Sequence, residues 1–222
     1  MKYQHQWYEG REIDLPVGKV VCVGRNYAAH ALELNNPIPD TPILFIKPST
    51  ALVPLEESLS LPSQWGEVHY ETELAILVGE PLSGAGPEQA VAAITGIGLA
   101  LDLTLRDLQS ELKSKGHPWE RAKAFDGACP LSRFVPVAEL GALDKLHFTL
   151  SINGEPRQSG DSGQMLTPIA ALLAHASESF TLLPGDVVLT GTPAGVGVLQ
   201  ARDQLQLDLQ SRARFSTRVM PS

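Results

Sequence analysis

The chain has 222 residues, enough for a large single domain with a sizeable core, and its hydrophobic content of 43% is ordinary for a globular protein. Acidic residues (25) outnumber basic ones (17), and the net charge of −8 argues against a nucleic-acid partner or an anionic membrane surface. Two cysteines make no disulfide framework, no apolar run is long enough for a membrane span, and the first residues carry no secretion signal, so we expect a cytoplasmic protein.

Glycine and proline divide the chain into short segments, which favours strands and turns over a helical bundle. Residues 1–17 predict a short N-terminal β segment that turns at Glu9-Gly10, ahead of a main domain over residues 18–222. Asn26 is expected to cap the first helix. The fold class is therefore α+β, mostly β, as a rolled sandwich or barrel. The other strands are predicted over residues 19–23, 43–46, 69–79, 98–103, 146–152, 186–190, 204–209 and 215–219, and the helices over residues 26–33, 87–94, 106–115 and 165–177.

Two glutamates occur in a segment whose pattern otherwise predicts a buried strand. Glu71 and Glu73 lie within residues 69–79, an apolar run that stops at a glycine. Side chains two apart on a strand share a face, with Cα atoms about 6–7 Å apart, so both carboxylates are expected to point the same way. Like charges beside a core are unfavourable without a positive partner, and a divalent cation is the simplest one.

A third acidic residue, Asp102, interrupts another apolar segment. Alone it is more often a capping or hydrogen-bonded residue, and Glu71 with Glu73 is about as often a solvated strand face as a metal site. Because all three interrupt buried-looking segments, we interpret them as an all-oxygen set that suits Mg²⁺ or Mn²⁺, with Ca²⁺ as a third candidate in a crystal, better than zinc. His69 shares the face of the glutamates as a candidate fourth ligand, although a histidine at the strand edge is the favoured alternative.

Ordered motifs along residues 18–219 point to a known family, because chance rarely produces so many in sequence. In chain order they are Gly24-Arg25-Asn26-Tyr27 with His30 and Glu33, Phe45-Ile46-Lys47-Pro48, His69-Tyr70-Glu71-Thr72-Glu73-Leu74, Asp102-Leu103-Thr104-Leu105-Arg106-Asp107, Lys123-Ala124-Phe125-Asp126, Asn153-Gly154-Glu155-Pro156-Arg157-Gln158, Pro184-Gly185-Asp186 and Thr190-Gly191-Thr192-Pro193. The chain resembles the fumarylacetoacetate hydrolase family, specifically its short single-domain branch of acylpyruvases and oxaloacetate-acting enzymes. Ala201-Arg202-Asp203 departs from many relatives, which have a glycine before the aspartate, and this affects only a turn.

The resemblance implies a fold, a cofactor and partners. The fold would be the mixed β-sandwich roll of the family's C-terminal domain, over residues 18–222. Glu71, Glu73 and Asp102 would bind Mg²⁺ or Mn²⁺. The substrate would be a small-molecule 2-oxo acid, and the assembly a homodimer.

The resemblance also implies catalytic residues. His30 and Glu33 would form a dyad on a lid over bound ligand, and Lys123 and Thr192 would face the substrate. Residues three apart on a helix share a face, so Glu33 can orient His30 and raise its basicity, although an incidental ion pair is the alternative. Lys123, by type a surface residue, would supply positive charge to a carboxylate or enolate. Thr192 would donate hydrogen bonds to a carboxylate. The alternative is that its segment is only a tight turn after a strand.

Three more residues are predicted to bind substrate. Arg106 follows Asp102 by four residues and Gln109 lies three further, so a helix would place them on one face. For Arg106, substrate orientation and a structural salt bridge are about equally supported. Arg25 follows a strand and a glycine, so it is expected on a loop. There it could bind an anion, or equally it could be a solvent-facing cap.

The favoured function is a metal-dependent enzyme that acts on short 2-oxo acids through a stabilised enolate. It would hydrolyse the C3–C4 bond of an acylpyruvate such as fumarylpyruvate or acetylpyruvate, decarboxylate oxaloacetate, or do both. The alternative is an isomerase, either an oxaloacetate keto–enol tautomerase or a 2-hydroxyhepta-2,4-diene-1,7-dioate isomerase. A non-catalytic oxo-acid-binding protein is a third, less favoured interpretation.

Overall fold

The computed structural model describes residues 3–221. Residues 1–2 of the predicted N-terminal segment and Ser222 at the end of the predicted main domain lie outside the described residues. Gln6 and Glu12 form one antiparallel bridge, as a short hairpin requires. The division of the chain into two units stays a prediction.

Residues 3–221 form fifteen strands and five α-helices, so the α+β, mostly β class is confirmed. The strands are β1 (Val20–Gly24), β2 (Ile43–Lys47), β3 (Leu52–Pro54), β4 (Val68–Tyr70), β5 (Thr72–Val78), β6 (Ile94–Leu101), β7 (Thr104–Leu105), β8 (Cys129–Leu131), β9 (Val135–Pro136), β10 (His147–Ile152), β11 (Glu155–Asp161), β12 (Val187–Leu189), β13 (Gly197–Val198), β14 (Gln204–Leu209) and β15 (Ala213–Arg218). The helices are α1 (Ala28–Glu33), α2 (Pro87–Ala92), α3 (Arg106–Ser114), α4 (Glu120–Lys123) and α5 (Ile169–Ser179).

The largest sheet is mixed and has the order β2-β1-β12-β5-β6-β8-β3, with β9 also paired to β6. The pairs β1–β12 and β3–β8 are parallel, whereas β1–β2, β12–β5 and β5–β6 are antiparallel. The parallel register joins Val20 to Val187, so two strands that are far apart in sequence lie side by side in this sheet.

Both faces of this sheet are buried, because its strands are apolar at nearly every position. Leu74 and Ile76 of β5 point into one core cluster, and Ala75 and Leu77 point into a second cluster on the other face. A strand that is buried on both faces has a continuous apolar run rather than alternation. This is why a charged side chain beside β5 or β6 must lie close to the core.

Two smaller sheets complete the fold. One has the order β11-β10-β14-β15, and the other has the order β13-β4-β7. Asn153 and Gly154 connect β10 and β11 with positive φ angles of 55° and 84°, which confirms the predicted hairpin. Arg202 stands in a turn with φ of 72°, the region that glycine favours, which accounts for the glycine of many relatives there.

Two local predictions are wrong. The strand predicted over residues 69–79 is two strands in different sheets, β4 and β5, and the break falls at Glu71. Asn26 does not cap α1, because the residue at the cap position is Tyr27, and the Asn26 amide instead donates to the carbonyls of Thr167 (3.0 Å) and Thr190 (2.9 Å). Asn26 thus ties the loop before α1 to the end of β12.

None of the helices in residues 3–221 has both the length and the apolar character needed to cross a bilayer.

Candidate active site and metal centre

Three buried carboxylates meet where the large sheet and the β4 sheet adjoin. Glu71 lies in the break between β4 and β5, Glu73 lies on β5, and Asp102 follows the last residue of β6. The Asp102 amide donates to the carbonyl of Glu71 at 2.8 Å, which holds the two backbone segments together. One oxygen from each carboxylate lies within 4.8 Å of the others, as a shared cation requires. The inference that Glu71 and Glu73 share a face therefore holds although the strand is broken.

The electrostatics of the cluster are unequal. Burial alone would raise the pKa of Glu71, but Lys123 and Arg106 outweigh it and hold that pKa well below its usual value. Burial raises the pKa of Glu73 well above its usual value, and the negative charges of Asp102 and Glu71 raise it further. Glu73 accepts a hydrogen bond from the Gly191 amide at 2.6 Å, which offsets this only in part.

A divalent cation fits this arrangement on the chemistry of its donors. Glu71, Glu73 and Asp102 offer only oxygen, which suits a hard cation such as Mg²⁺ or Mn²⁺. Burial and the charges of Asp102 and Glu71 raise the pKa of Glu73, and a bound cation would oppose this rise. His69 adds no ligand atom to the set, and its Nε2 lies 3.7 Å from a carboxylate oxygen of Glu67.

Lys123 joins two of the three carboxylates. It lies at the end of α4, and its Nζ donates to Glu71 Oε2 and to Asp102 Oδ2, each at 2.7 Å. The same ammonium lies 5.3 Å from the centre of the Phe45 ring. Burial would lower the pKa of Lys123, but Asp102 and Glu71 raise it above its usual value, so this lysine stays protonated.

Arg106 and Gln109 lie on one face of α3, as their spacing predicts. Arg106 forms an ion pair with Glu71 and donates to Gln109 Oε1 at 2.8 Å. The structure shows the salt bridge of Arg106, which holds its guanidinium beside the carboxylate cluster, and the orientation of a substrate by Arg106 stays a prediction.

Lys47 is a member of the cluster to which sequence reasoning assigned no role. Its side chain is fully buried, and Nζ lies 2.8 Å from Asp102 Oδ1. It donates hydrogen bonds to the carbonyls of Lys123 and Ala128. A lysine that directly follows the apolar strand predicted over residues 43–46, and that precedes a proline, is the signal that could have identified it.

His30 and Glu33 form the predicted pair on α1. His30 Nδ1 lies 3.3 Å from Glu33 Oε2, and the Gly195 amide donates to Glu33 Oε1 at 3.0 Å. Burial lowers the pKa of His30, although Glu71 and Glu33 oppose the shift. A neutral imidazole whose Nδ1–H donates to Glu33 leaves Nε2 free to accept a proton.

Thr192 is held by internal hydrogen bonds. Its hydroxyl donates to the carbonyl of Thr72 at 2.9 Å and accepts from Gln158 Nε2 at 2.8 Å. Gln158 also accepts from the Thr72 amide at 2.9 Å. The hydroxyl proton of Thr192 is thus used within the protein, and the predicted donation to a substrate would require this bond to open. Like Lys47, Gln158 belongs to a sequence motif but had no role predicted from the sequence.

One cavity of about 50 Å³ brings the predicted residues together. Glu33 does not line this cavity itself, but it contacts His30, which does. The sequence-predicted residues that line it are Arg25, His30, Glu71, Glu73, Asp102, Arg106, Gln109, Lys123 and Thr192.

The curled mixed sheet and its buried carboxylate cluster define a class of enzymes with a site suited to a divalent metal. The chain belongs to the fumarylacetoacetate (FAA) hydrolase C-terminal family, whose model matches residues 19–220.

Curated relatives and solved structures agree with this membership. The chain is 51% identical to the oxaloacetate tautomerase YcgM of Escherichia coli K12, over 98% of this chain and 100% of that protein. It is 38% identical to the human mitochondrial oxaloacetate tautomerase FAHD1, over 90% of each chain. The crystal structure of fumarylpyruvate hydrolase from Pseudomonas aeruginosa in complex with Mn²⁺ and pyruvate superposes with a TM-score of 0.92 at 36% identity, covering 100% of this chain and 97% of that one.

Proposed function

We propose that this chain is a divalent-metal-dependent oxaloacetate keto–enol tautomerase. The observation that carries the proposal is the 51% identity to the Escherichia coli oxaloacetate tautomerase over nearly the whole of both chains. The proposal reverses the order of the sequence-based interpretations, because tautomerisation was the alternative there and hydrolysis the favoured function. Both reactions draw on the same stabilised enolate.

Glu71, Glu73 and Asp102 are proposed to hold the cation, Mg²⁺ or Mn²⁺. When bound, such a cation withdraws electrons from the 2-oxo group of a substrate and makes its C3 protons more acidic. Lys123 adds a fixed positive charge at the same place, because its ammonium is already held between Glu71 and Asp102. These four side chains are buried and held by hydrogen bonds, so little reorganisation is needed when negative charge develops on the substrate oxygen.

Tautomerisation moves one proton from C3 to the oxygen on C2 of the substrate. His30 is the better base of the two candidates, because burial keeps its imidazole neutral whereas Lys123 stays protonated. Glu33 fixes the ring by accepting from Nδ1, so that Nε2 takes the C3 proton and returns it to the oxygen. The reverse transfer converts enol to ketone.

Acylpyruvate hydrolysis is the second candidate function. The observation that favours it is the match of the whole chain to the fumarylpyruvate hydrolase of Pseudomonas aeruginosa. In that case His30 and Glu33 would activate water for attack at C4.

The decisive experiment follows the loss of oxaloacetate enol absorbance and the release of pyruvate in the same sample, with Mg²⁺ and with a chelator. A tautomerase accelerates enol loss without forming pyruvate, and His30→Asn lowers that rate at least a hundredfold. Pyruvate release from acetylpyruvate or fumarylpyruvate, without accelerated enol loss, would support the hydrolase and reject the tautomerase. The predicted homodimer and the cytoplasmic location remain predictions.

A further inference from the structure

Two basic side chains line the active-site cavity where it is open to solvent. Arg25 and Lys113 both line this cavity, Arg25 half-buried and Lys113 exposed. The carboxylates that line the same cavity, Glu71, Glu73 and Asp102, are all buried. The exposed part of the cavity lining is therefore basic.

Neighbouring backbone and side chains hold the two cations in place. Arg25 Nη1 donates to the carbonyl of Pro37 at 3.4 Å, and Lys113 Nζ donates to Asn36 Oδ1 at 3.1 Å. Both partners belong to the loop that follows α1. Within residues 3–221, neither Arg25 nor Lys113 forms an ion pair with a carboxylate.

The proximity of these cations is itself unfavourable. Partial burial lowers the pKa of Lys113, and the positive charges of Arg25 and Arg106 lower it further. Arg25 also has a φ angle of 61°, a backbone conformation that residues other than glycine adopt only at a cost in free energy. Backbone strain and unpaired like charges at a cavity are both typical of a site that binds an oppositely charged ligand.

Arg25 and Lys113 add two positive charges to the cavity, and no carboxylate within residues 3–221 pairs with either of them. Glu71 and Asp102 of the buried cluster already have Lys47, Lys123 and Arg106 as ion-pair partners. Arg25 and Lys113 are therefore available to a negatively charged group of the ligand outside that cluster, such as a second carboxylate at the far end of the substrate.

We propose that Arg25 and Lys113 bind the distal carboxylate of a 2-oxo dicarboxylate and thereby select doubly charged over singly charged 2-oxo acids. This inference rests on the proposed function, since it assigns the residues that recognise the end of the same substrate. A substrate-binding role is new for Lys113, whereas Arg25, already predicted to bind substrate, is now assigned to the distal carboxylate. The proposed contacts to the distal carboxylate thus come from the loop after β1 and from the last turn of α3.

The test compares Lys113→Gln and Arg25→Gln with the control Lys115→Gln. Lys115 lies two residues further along the chain, is exposed, and pairs with Glu111 away from the cavity. We expect each cavity variant to raise the KM for oxaloacetate at least tenfold while kcat falls less than threefold, and the control to match the wild type. The inhibition constant of oxalate, which lacks a distal carboxylate beyond its chelating pair, should change less than twofold.

Isothermal titration of the Mg²⁺-loaded protein separates this inference from the proposed function. Oxaloacetate should bind the wild type at least tenfold more tightly than pyruvate does, and Lys113→Gln should remove most of that difference. This readout holds even if the wild type fails to tautomerise oxaloacetate, which would reject the function alone. Equal affinity for oxaloacetate and pyruvate, or an equal loss of oxalate and oxaloacetate affinity in the variants, would overturn the distal-carboxylate site.

Discussion

Lys47 Nζ lies 2.8 Å from Asp102 Oδ1, and the same ammonium donates to the carbonyl of Lys123. One fully buried lysine therefore connects a proposed metal ligand to the backbone of the lysine that bridges the ligands. Because the contact depends on three segments far apart in sequence, it joins β2, the end of β6 and the end of α4 at one point.

Lys47→Met should destabilise the protein strongly. It removes a buried charge that Asp102 faces and takes a donor from the carbonyl of Lys123, which typically costs about 3–5 kcal/mol. The carbonyl of Ala128 loses one donor and keeps the Leu103 amide as the other. Urea denaturation of the metal-free protein measures this free energy of unfolding. Lys115→Met, which breaks only an exposed, solvent-screened pair with Glu111, should leave it nearly unchanged. Equal effects of the two substitutions would contradict the role of Lys47.

Glu73→Gln should separate metal binding from stability. The substitution removes one of three mutually repelling carboxylates and keeps an oxygen for the Gly191 amide, so the metal-free variant should melt at the wild-type temperature or above it. Metal at 100 times its dissociation constant should stabilise the wild type by about 2.7 kcal/mol and the variant hardly at all. Thermal melts with Mg²⁺ and with chelator measure both effects, and Glu80→Gln, at an exposed position, is the control. A variant that Mg²⁺ still stabilises fully would remove Glu73 from the ligand set.

Gly191→Ala should weaken metal binding through the backbone. Gly191 has φ of 88°, and a Cβ there would lie 2.7 Å from the Cβ of Asn26, so the amide that holds Glu73 must move. Loss of a contact that orients a ligand typically lowers metal affinity about 10–100-fold, which calorimetric titration with Mn²⁺ measures. Gly84→Ala is the matched control, because Gly84 also has a positive φ, of 58°, but a Cβ there meets nothing within 4 Å. Similar Mn²⁺ affinities in the two variants would show that the Gly191 amide does not orient Glu73.

His5 should make the stability depend on pH between neutrality and mild acid. Burial lowers the pKa of His5 from 6.5, although hydrogen bonds to Gly185 and Pro16 partly oppose the shift. The folded protein then binds the proton less readily than the unfolded chain, so the contribution is complete above pH 6.5 and is lost as the pH falls through the folded pKa. His5→Gln should flatten the stability profile on the acid side, whereas the exposed His147→Gln should not. Denaturation at a series of pH values measures the profiles, and parallel curves for His5→Gln and wild type would contradict the prediction.

Sequence reasoning predicted the parts of the site that depend on local spacing. Glu71 and Glu73 share a face because they are two apart, and His30 and Glu33 meet because they are three apart on a helix. Asp102 was identified as a candidate ligand because it interrupts an apolar segment, and the family resemblance then supplied the role of Lys123, whose position carries no local signal.

The parts that were missed or wrong depend on tertiary contacts. Asn26 has the right chemistry for a helix cap, but the neighbouring loops offer its amide two carbonyls and an N–H, and these contacts prevail. Gln158 reaches Thr72 across the fold, and Lys47 reaches Asp102 from another strand of the sheet. Strand pairing decides such contacts, and the register of the large sheet could not be predicted from the sequence.

The central place of β12 has a consequence for how the chain matures during translation. β12 (Val187–Leu189) fills the position between β1 and β5, so the large sheet cannot close until the ribosome has made residues 187–189. Until then β1 and β5 expose unpaired apolar edges, which attract other nascent chains. The core of the large sheet can therefore form only after residue 189 has emerged, and holding chaperones should bind the growing chain before that point and release it afterwards.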